Sequence, residues 1–316
     1  MPLKALLRLI NRPRVPPVPV AQRLLDKPII TREMFTHGGG DNICNPSVIR
    51  VPPWLPNRLG NYYLYFSHHR GTSLRLAWAD QLTGPWHLQL DGVMHIQDWH
   101  PFGDHLASPD VHVDEENRLI LMFFHSVDKI SGKQLTFFAR SRDGFSFDCE
   151  QSPVADFYLK IVKWRDTWIG MSKGGVMYIS AGALPKLERL PKPAFRMKDP
   201  MGDAPGDVRH VALDVRENIL RIYYSRVGDS PESILRSQID LNAPMHSWRA
   251  KGAELVLKPE TEWEGATLPV TRSRRGAARR PENALRDPAI YKEGDLAYLF
   301  YCGAGETNIG LAALVG

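Results

Sequence analysis

The feature that most constrains this chain is a unit of short strands and turns that returns at a spacing of about 50 to 60 residues. The first copy runs from Asn42 to Asp80. It holds the apolar run Pro46 to Val51, a Pro-rich loop, the aromatic run Tyr62 to Phe66 and the run Leu74 to Ala79. The second opens at Ala107-Ser108-Pro109-Asp110 and continues VHVDEENRLILMFFHS, then QLTFFARSRDG. The third is ADFYLKIVKWRDTWIGMSKGGVMYISAG, and the fourth RHVALDVRENILRIYYSRVGD followed by ESILRSQIDL. The fifth is LRDPAIYKEGDLAYLFYCGAGETNIGLAAL.

Every copy places polar residues before a short apolar strand. A charged turn follows, then a second strand with a polar end, then a third strand. Aromatic and β-branched residues between turn residues are β signals, and helical periodicity of useful length is absent after residue 36. Repeated antiparallel sheets that bury both faces and leave only short edges form a radial array. The expected fold is all-β, a five-bladed β-propeller over residues 37–316, in preference to paired β-sandwiches. Residues 1–36 are read as an extension with a short amphipathic helix packed on the domain. In such a ring the polar starts of the first strands converge on one axis.

Composition sets outer limits. A hydrophobic content of 43% supports a sizeable core. Cys44, Cys149 and Cys302 form no CxxC pair, which fits a reducing, cytoplasmic setting. No run has the length of a membrane span, and the first residues lack the apolar core and cleavage site of a signal peptide. The net charge is +5, and five arginines (Arg272, Arg274, Arg275, Arg279, Arg280) crowd one segment, TRSRRGAARRP. That run reads first as a solvated basic loop, with attraction of an anionic glycan, or less so of nucleic acid, as the functional alternative; no nucleic-acid module is recognisable.

Several of these motifs resemble family 43 glycoside hydrolases. ASPDVHVDEENRLILMFF is similar to the second-blade segment of those enzymes, and CNPSVIRV sits where they begin the first blade. SLRLAWADQLTGPW resembles an outer strand, and LRDPAIYKEGDLAYLFY another blade. The resemblance implies a five-bladed propeller that acts on sugars, in an uncharacterised branch of the wider group. It also implies three axial acids, and here the pattern departs. Asn45 stands at the blade-one base position, and Ser108 at the blade-two aspartate position with Asp110 two residues on. The blade-three Glu-Gly-Pro signature is missing, with Asp156 and Tyr158 in that region.

Glycosidic cleavage takes a proton donor and a second carboxylate across the bond. The candidate carboxylates are Asp41, Asp110, Asp287 and Glu264. Asn45, His68, His69, His125, His210, Arg286 and Glu306 are candidates for holding the sugar. Trp54, Trp99 and Trp263 are candidate stacking walls, with core packing as the default for each. HGGG at residues 37–40 is not an oxyanion loop, because no G-x-S-x-G elbow accompanies it. No cofactor is expected. The alternatives are a sugar-binding propeller without catalysis, and a lyase or transferase that uses histidines or an axial metal ion, although the histidine spacing fits no standard zinc motif. DPMGDAPGD, residues 199–207, reads as a turn rather than a calcium loop.

Overall fold

A computed structural model describes residues 20–36, 38–99, 101–180, 182–195 and 208–315. The expected N-terminal helix and the segment 199–207 lie outside the described residues. Five antiparallel sheets follow one another along the chain. Blade I has strands Cys44–Arg50, Tyr62–Ser67, Ser73–Ala79 and His87–His95. Blade II has Ala107–Asp114, Leu119–Val127 and Gln134–Ser141, with the short strands Asp148–Cys149 and Ala155–Asp156 at its outer edge. Blade III has Lys160–Trp164, Thr167–Ser172, Val176–Ser180 and Glu188–Arg189, and blade IV Val208–Arg216, Ile219–Arg226, Ile234–Asp240 and Lys251–Leu257. Blade V has Arg286–Glu293, Leu296–Gly303 and Asn308–Val315. The fold is the expected five-bladed propeller. No helix among the described residues is long and apolar enough to cross a membrane.

The continuous apolar runs that sequence alternation alone would not predict are explained by burial of both sheet faces. Side chains alternate across a strand, so Ile120, Met122 and Phe124 pack toward blade I while Leu121 and Phe123 pack toward blade III. Tyr63 and Tyr65 face blade II, whereas Leu64 and Phe66 face blade V. Ile222 and Tyr224 join the core shared with blade III, and Tyr223 the one shared with blade V. The interior is thus one apolar layer per blade interface rather than a single central core.

The ring is closed by the N-terminal side of the chain. Val20–Arg23 pairs antiparallel with Asn308–Val315 and supplies the outer strand of blade V. The segment read as an extension before residue 37 therefore contributes a propeller strand. A four-residue strand offers little ladder of its own, and Arg23 adds a clasp. Its Nε and Nη2 donate to the two carboxylate oxygens of Glu264 at 2.7 and 2.8 Å, and Nη2 also donates to the Lys258 carbonyl.

Candidate functional site

The inner strands start with a shared irregularity. Register shifts separate Cys44 from Ser47, Ala107 from Asp110, Val208 from Val211 and Arg286 from Ala289. Within three of these bulges Asn45, Ser108 and Asp287 adopt left-handed φ values of 54°, 55° and 51°, each before a proline. Tyr158, just ahead of the blade III inner strand, has φ 60°. Asn and Asp tolerate this region best; the conformation is strained for Ser and Tyr, and such strain gathers at functional positions. Arg209 occupies the matching place in blade IV.

Asp287 is the carboxylate that this arrangement brings to the axis. It is 2% exposed, accepts the Asn45 backbone N–H at 3.2 Å through Oδ2, and pairs closely with His210 Nδ1 through Oδ1. Burial opposes its ionisation, but His210, Arg286 and the Asn45 amide outweigh that cost and hold it well below the usual carboxylate range. His210 Nε2 is buried without a hydrogen-bond partner. The Tyr158 ring meets His210 edge-on at 4.4 Å on one side and His125 at 4.4 Å on the other. Burial, then the negative charges of Asp287 and Glu306, push the Tyr158 hydroxyl far up, so it stays protonated.

Around this centre the other acids are tied down. Arg286, 1% exposed, donates to Glu232 at 2.9 Å, Glu306 at 3.2 Å and Glu282 at 2.6 Å. Arg209 reaches the other oxygen of Glu232 at 2.9 Å. Glu306 also accepts from Asn42 Nδ2 at 2.7 Å and lies 3.6 Å from His69 Nδ1. His125 meets His105 through their Nε2 atoms at 3.1 Å, and the exposed Asp104 holds the far side of His105. Burial, followed by the neighbouring imidazoles of His105, His210 and His69, pushes His125 well down, so it is neutral near pH 7.

Three of the expected catalytic carboxylates sit elsewhere. Asp110 does not join Asp287. Ser108 takes the mouth of blade II, and Asp110, two residues on, lies about 6–7 Å further along the strand. There its Oδ2 accepts the Ile161 N–H at 2.8 Å and His112 at 2.9 Å, while Lys160 stands 3.6 Å from Oδ1. It lines a cavity of about 340 Å³ in the other half of the channel, with Lys160, Asp214 and Lys292. Glu264 is fully buried in the closure clasp. Besides Arg23 it accepts from the Tyr301 hydroxyl and the backbone N–H groups of Glu260 and Thr261, so it has no freedom to act as an acid. Asp41, its side chain 67% exposed, sits on the rim 3.3 Å from His68 Nε2.

The remaining expectations divide. Asn45, His69, His125, His210, Arg286 and Glu306 converge on the Asp287 cluster, with His68 at its edge. Trp54 and Trp99 pack against the core between blades I and II, and Trp263 stacks on Tyr301. Lys160, His105, Arg209 and Glu232 belong to the axis but carried no local sequence signal. Cys44 and Cys302 are buried thiols pushed well up, first by burial and then by nearby carboxylates, so neither is a nucleophile. Among the described residues no group of three or more His, Cys, Asp or Glu has the geometry to hold a metal ion: His105 faces His125, His210 is taken up by Asp287, and Glu232 and Glu306 are bonded to Arg286. The donor set does not suit the axial metal considered from sequence.

No protein-family model matches the chain. It is 33% identical over 309 residues to the uncharacterized protein R118 of Acanthamoeba polyphaga mimivirus, covering 90% of this chain and 86% of that protein. Among solved structures it is similar to a thermostable family-43 glycoside hydrolase (15% identity, TM-score 0.61, covering 86% of this chain and 88% of that one). It is also similar to a family-43 β-xylosidase/α-arabinofuranosidase from a compost microbial metagenome in complex with xylotriose (14% identity, TM-score 0.61, 93% and 95% covered). A third is a structure from the family 130 of mannoside phosphorylases, described as containing glycoside hydrolases that target β-1,2 mannosidic linkages in Candida mannan (11% identity, TM-score 0.67, 96% of both chains). At these identities the likeness is one of fold.

Proposed function

The chain belongs to one family with protein R118 of Acanthamoeba polyphaga mimivirus, and we propose that it is a glycoside hydrolase working at the upper mouth of the propeller axis. The observation that carries this reading is Asp287: a buried carboxylate kept anionic at the mouth, beside an imidazole whose Nε2 has no partner. Asn45 replaces the acid implied by family resemblance, yet its backbone N–H supports a carboxylate delivered from blade V instead.

The Asp287–His210 pair acts as the base. His210 Nε2 takes a proton from water as the water oxygen attacks the anomeric carbon, and Asp287 stabilises the imidazolium that forms. The Tyr158 O–H donates its proton to the departing glycosidic oxygen, and the tyrosinate regains one from His210. His69 and Asn42 bind sugar hydroxyls, while Glu306, bonded to Arg286, is a positioning group. A screen of aryl glycosides and small oligosaccharides tests this. Asp287→Asn and Tyr158→Phe are each expected to lower kcat by about 10²–10⁴-fold. Unchanged turnover in Asp287→Asn would remove the proposal.

A second reading has its own support. Asn45 and Ser108 are not acids, and Asp287 and Asp110 are both held below the usual carboxylate range, so neither aspartate is raised to serve as an acid. A sugar-binding propeller without turnover would match that pattern. Calorimetric binding of an oligosaccharide that survives days of incubation intact would select it.

A further inference from the structure

The segment from Thr271 to Pro281 holds five arginines and no acid. The whole chain has 40 Lys and Arg against 35 Asp and Glu, so these five equal its entire cationic excess. Outside this one loop the charges balance. Arg272, Arg274, Arg275, Arg279 and Arg280 are all exposed.

The loop is built into the axial mouth. Arg209, which begins the inner strand of blade IV where Asn45 and Asp287 begin theirs, donates to the carbonyls of Gly276 and Arg274. The same guanidinium holds Glu232, which holds Arg286, which holds Glu306. Ser273 is buried, with its N–H on the Asp229 carbonyl and its hydroxyl on the Arg226 carbonyl. Ala278 lies against Gly305, beside Glu306; a Cβ added at Gly305 would come within 2.7 Å of the Ala278 Cβ. The buried acids beneath are already paired with Arg209 and Arg286, so the exposed arginines are not needed to neutralise them. A surplus of positive charge is thus fixed next to the mouth by direct bonds to its framework, and such a field concentrates anions there.

We infer that the ligand of this mouth is an anionic glycan, one carrying carboxylate, sulfate or phosphate groups, recruited by the arginine loop through Arg274, Arg279 and Arg280. The inference rests on the glycan-directed reading above, and it names the substrate class. Guanidinium groups suit all three substituents because each presents paired oxygens to a planar fork. A nucleic acid would also answer to charge, but the mouth holds a recessed cluster of hydrogen-bonding groups suited to hydroxyls, and residues 271–281 contain no aromatic side chain on which a base could stack.

The test is binding of the full chain to polygalacturonate, dextran sulfate, neutral dextran, neutral xylan and a single-stranded oligonucleotide, each by calorimetry. Binding to one or both acidic glycans is expected, weakening by about tenfold or more between about 0.05 and 0.5 M NaCl. Arg274→Gln/Arg279→Gln/Arg280→Gln should weaken it by about tenfold or more, with an unchanged melting temperature, while Lys251→Gln on the outer edge of blade IV leaves it unaltered. Because the loop is exposed, single Arg279→Glu serves as a second variant, expected to act in the same direction. Salt-independent binding or cleavage of a neutral glycan, with no response to the arginine variants, would overturn the inference and leave the hydrolase reading standing. Tighter binding to the oligonucleotide than to either acidic glycan would overturn it as well. Failure to bind any of the glycans would overturn both.

Discussion

Arg23 and Glu264 are 241 positions apart, and a two-pronged ion pair joins them at 2.7 and 2.8 Å. It fastens the strand that closes the ring. Glu264 is fully buried, so removing its charge leaves a guanidinium facing an incomplete set of acceptors. Glu264→Gln is expected to destabilise the protein by about 3 kcal/mol in urea unfolding. The pH dependence follows from sign. Burial raises the Glu264 pKa, but Arg23, the backbone N–H groups and Tyr301 lower it further, so the folded value lies below the unfolded one. Its contribution is present above the unfolded pKa and is lost as pH falls through the folded value. Wild type should therefore lose more stability on acidification than Glu264→Gln; parallel curves would exclude the clasp.

His125 gives a second pH signature in a different window. Burial and the crowding of His105, His210, His69 and Lys160 depress its folded pKa well below the usual histidine range, so the folded state resists its protonation. Stability tied to neutral His125 is intact above about pH 6.5 and falls as pH drops below that value toward the folded pKa. His125→Gln should flatten the stability curve between about pH 6.5 and 4.5, measured by thermal melts across buffers. An unaltered slope would show that His125 does not carry the effect.

Asp110 and Asp287 should separate cleanly in function. Asp110 is bonded to Ile161, His112 and Lys160 in the other half of the channel. Asp110→Asn is expected to cost about 2–3 kcal/mol in stability, because it unbalances the buried Lys160, and to change kcat/KM by less than about threefold. A loss of activity matching that of Asp287→Asn would place the lower channel in the reaction.

Much of this organisation was legible in the chain, for reasons that differ between fold and site. YYLYF and LILMFF are continuous apolar runs because each blade is packed on both faces, and that pattern is local. The polar residues before the first strands, Asn45, Ser108 and Asp287 among them, were equally local, and they pointed to the axis. Asp110 misled because a bulge before it decides which residue reaches the mouth, and bulges leave no mark in alternation. Glu264 misled because an acid beside a glycine gives no sign of an arginine hundreds of positions away. Closure by VAQR was hidden for the same reason: four residues carry too little pattern to be seen without their partner strand. Tyr158 stood in the right region, but only its left-handed backbone and its place between His125 and His210 distinguish it.

Asn45 offers the sharpest test of the proposed base. Its backbone N–H already supports Asp287, and its side-chain oxygen accepts the Ser67 hydroxyl at 3.0 Å. Asn45→Asp keeps that acceptor and the left-handed backbone, but adds a second negative charge beside Asp287. Like charges in one buried site raise each other's pKa, so the depression of Asp287 is partly undone. The pair then loses its anionic form at a higher pH than in the parent protein. The acidic limb of the pH–kcat/KM profile for glycoside cleavage is expected to move up by about one unit, with the alkaline limb in place. Asn45→Ser adds no charge and should leave the acidic limb where it was. If both variants leave that limb unmoved while turnover persists, the titrating base is not the Asp287–His210 pair, and the proton must be taken by another group at the mouth.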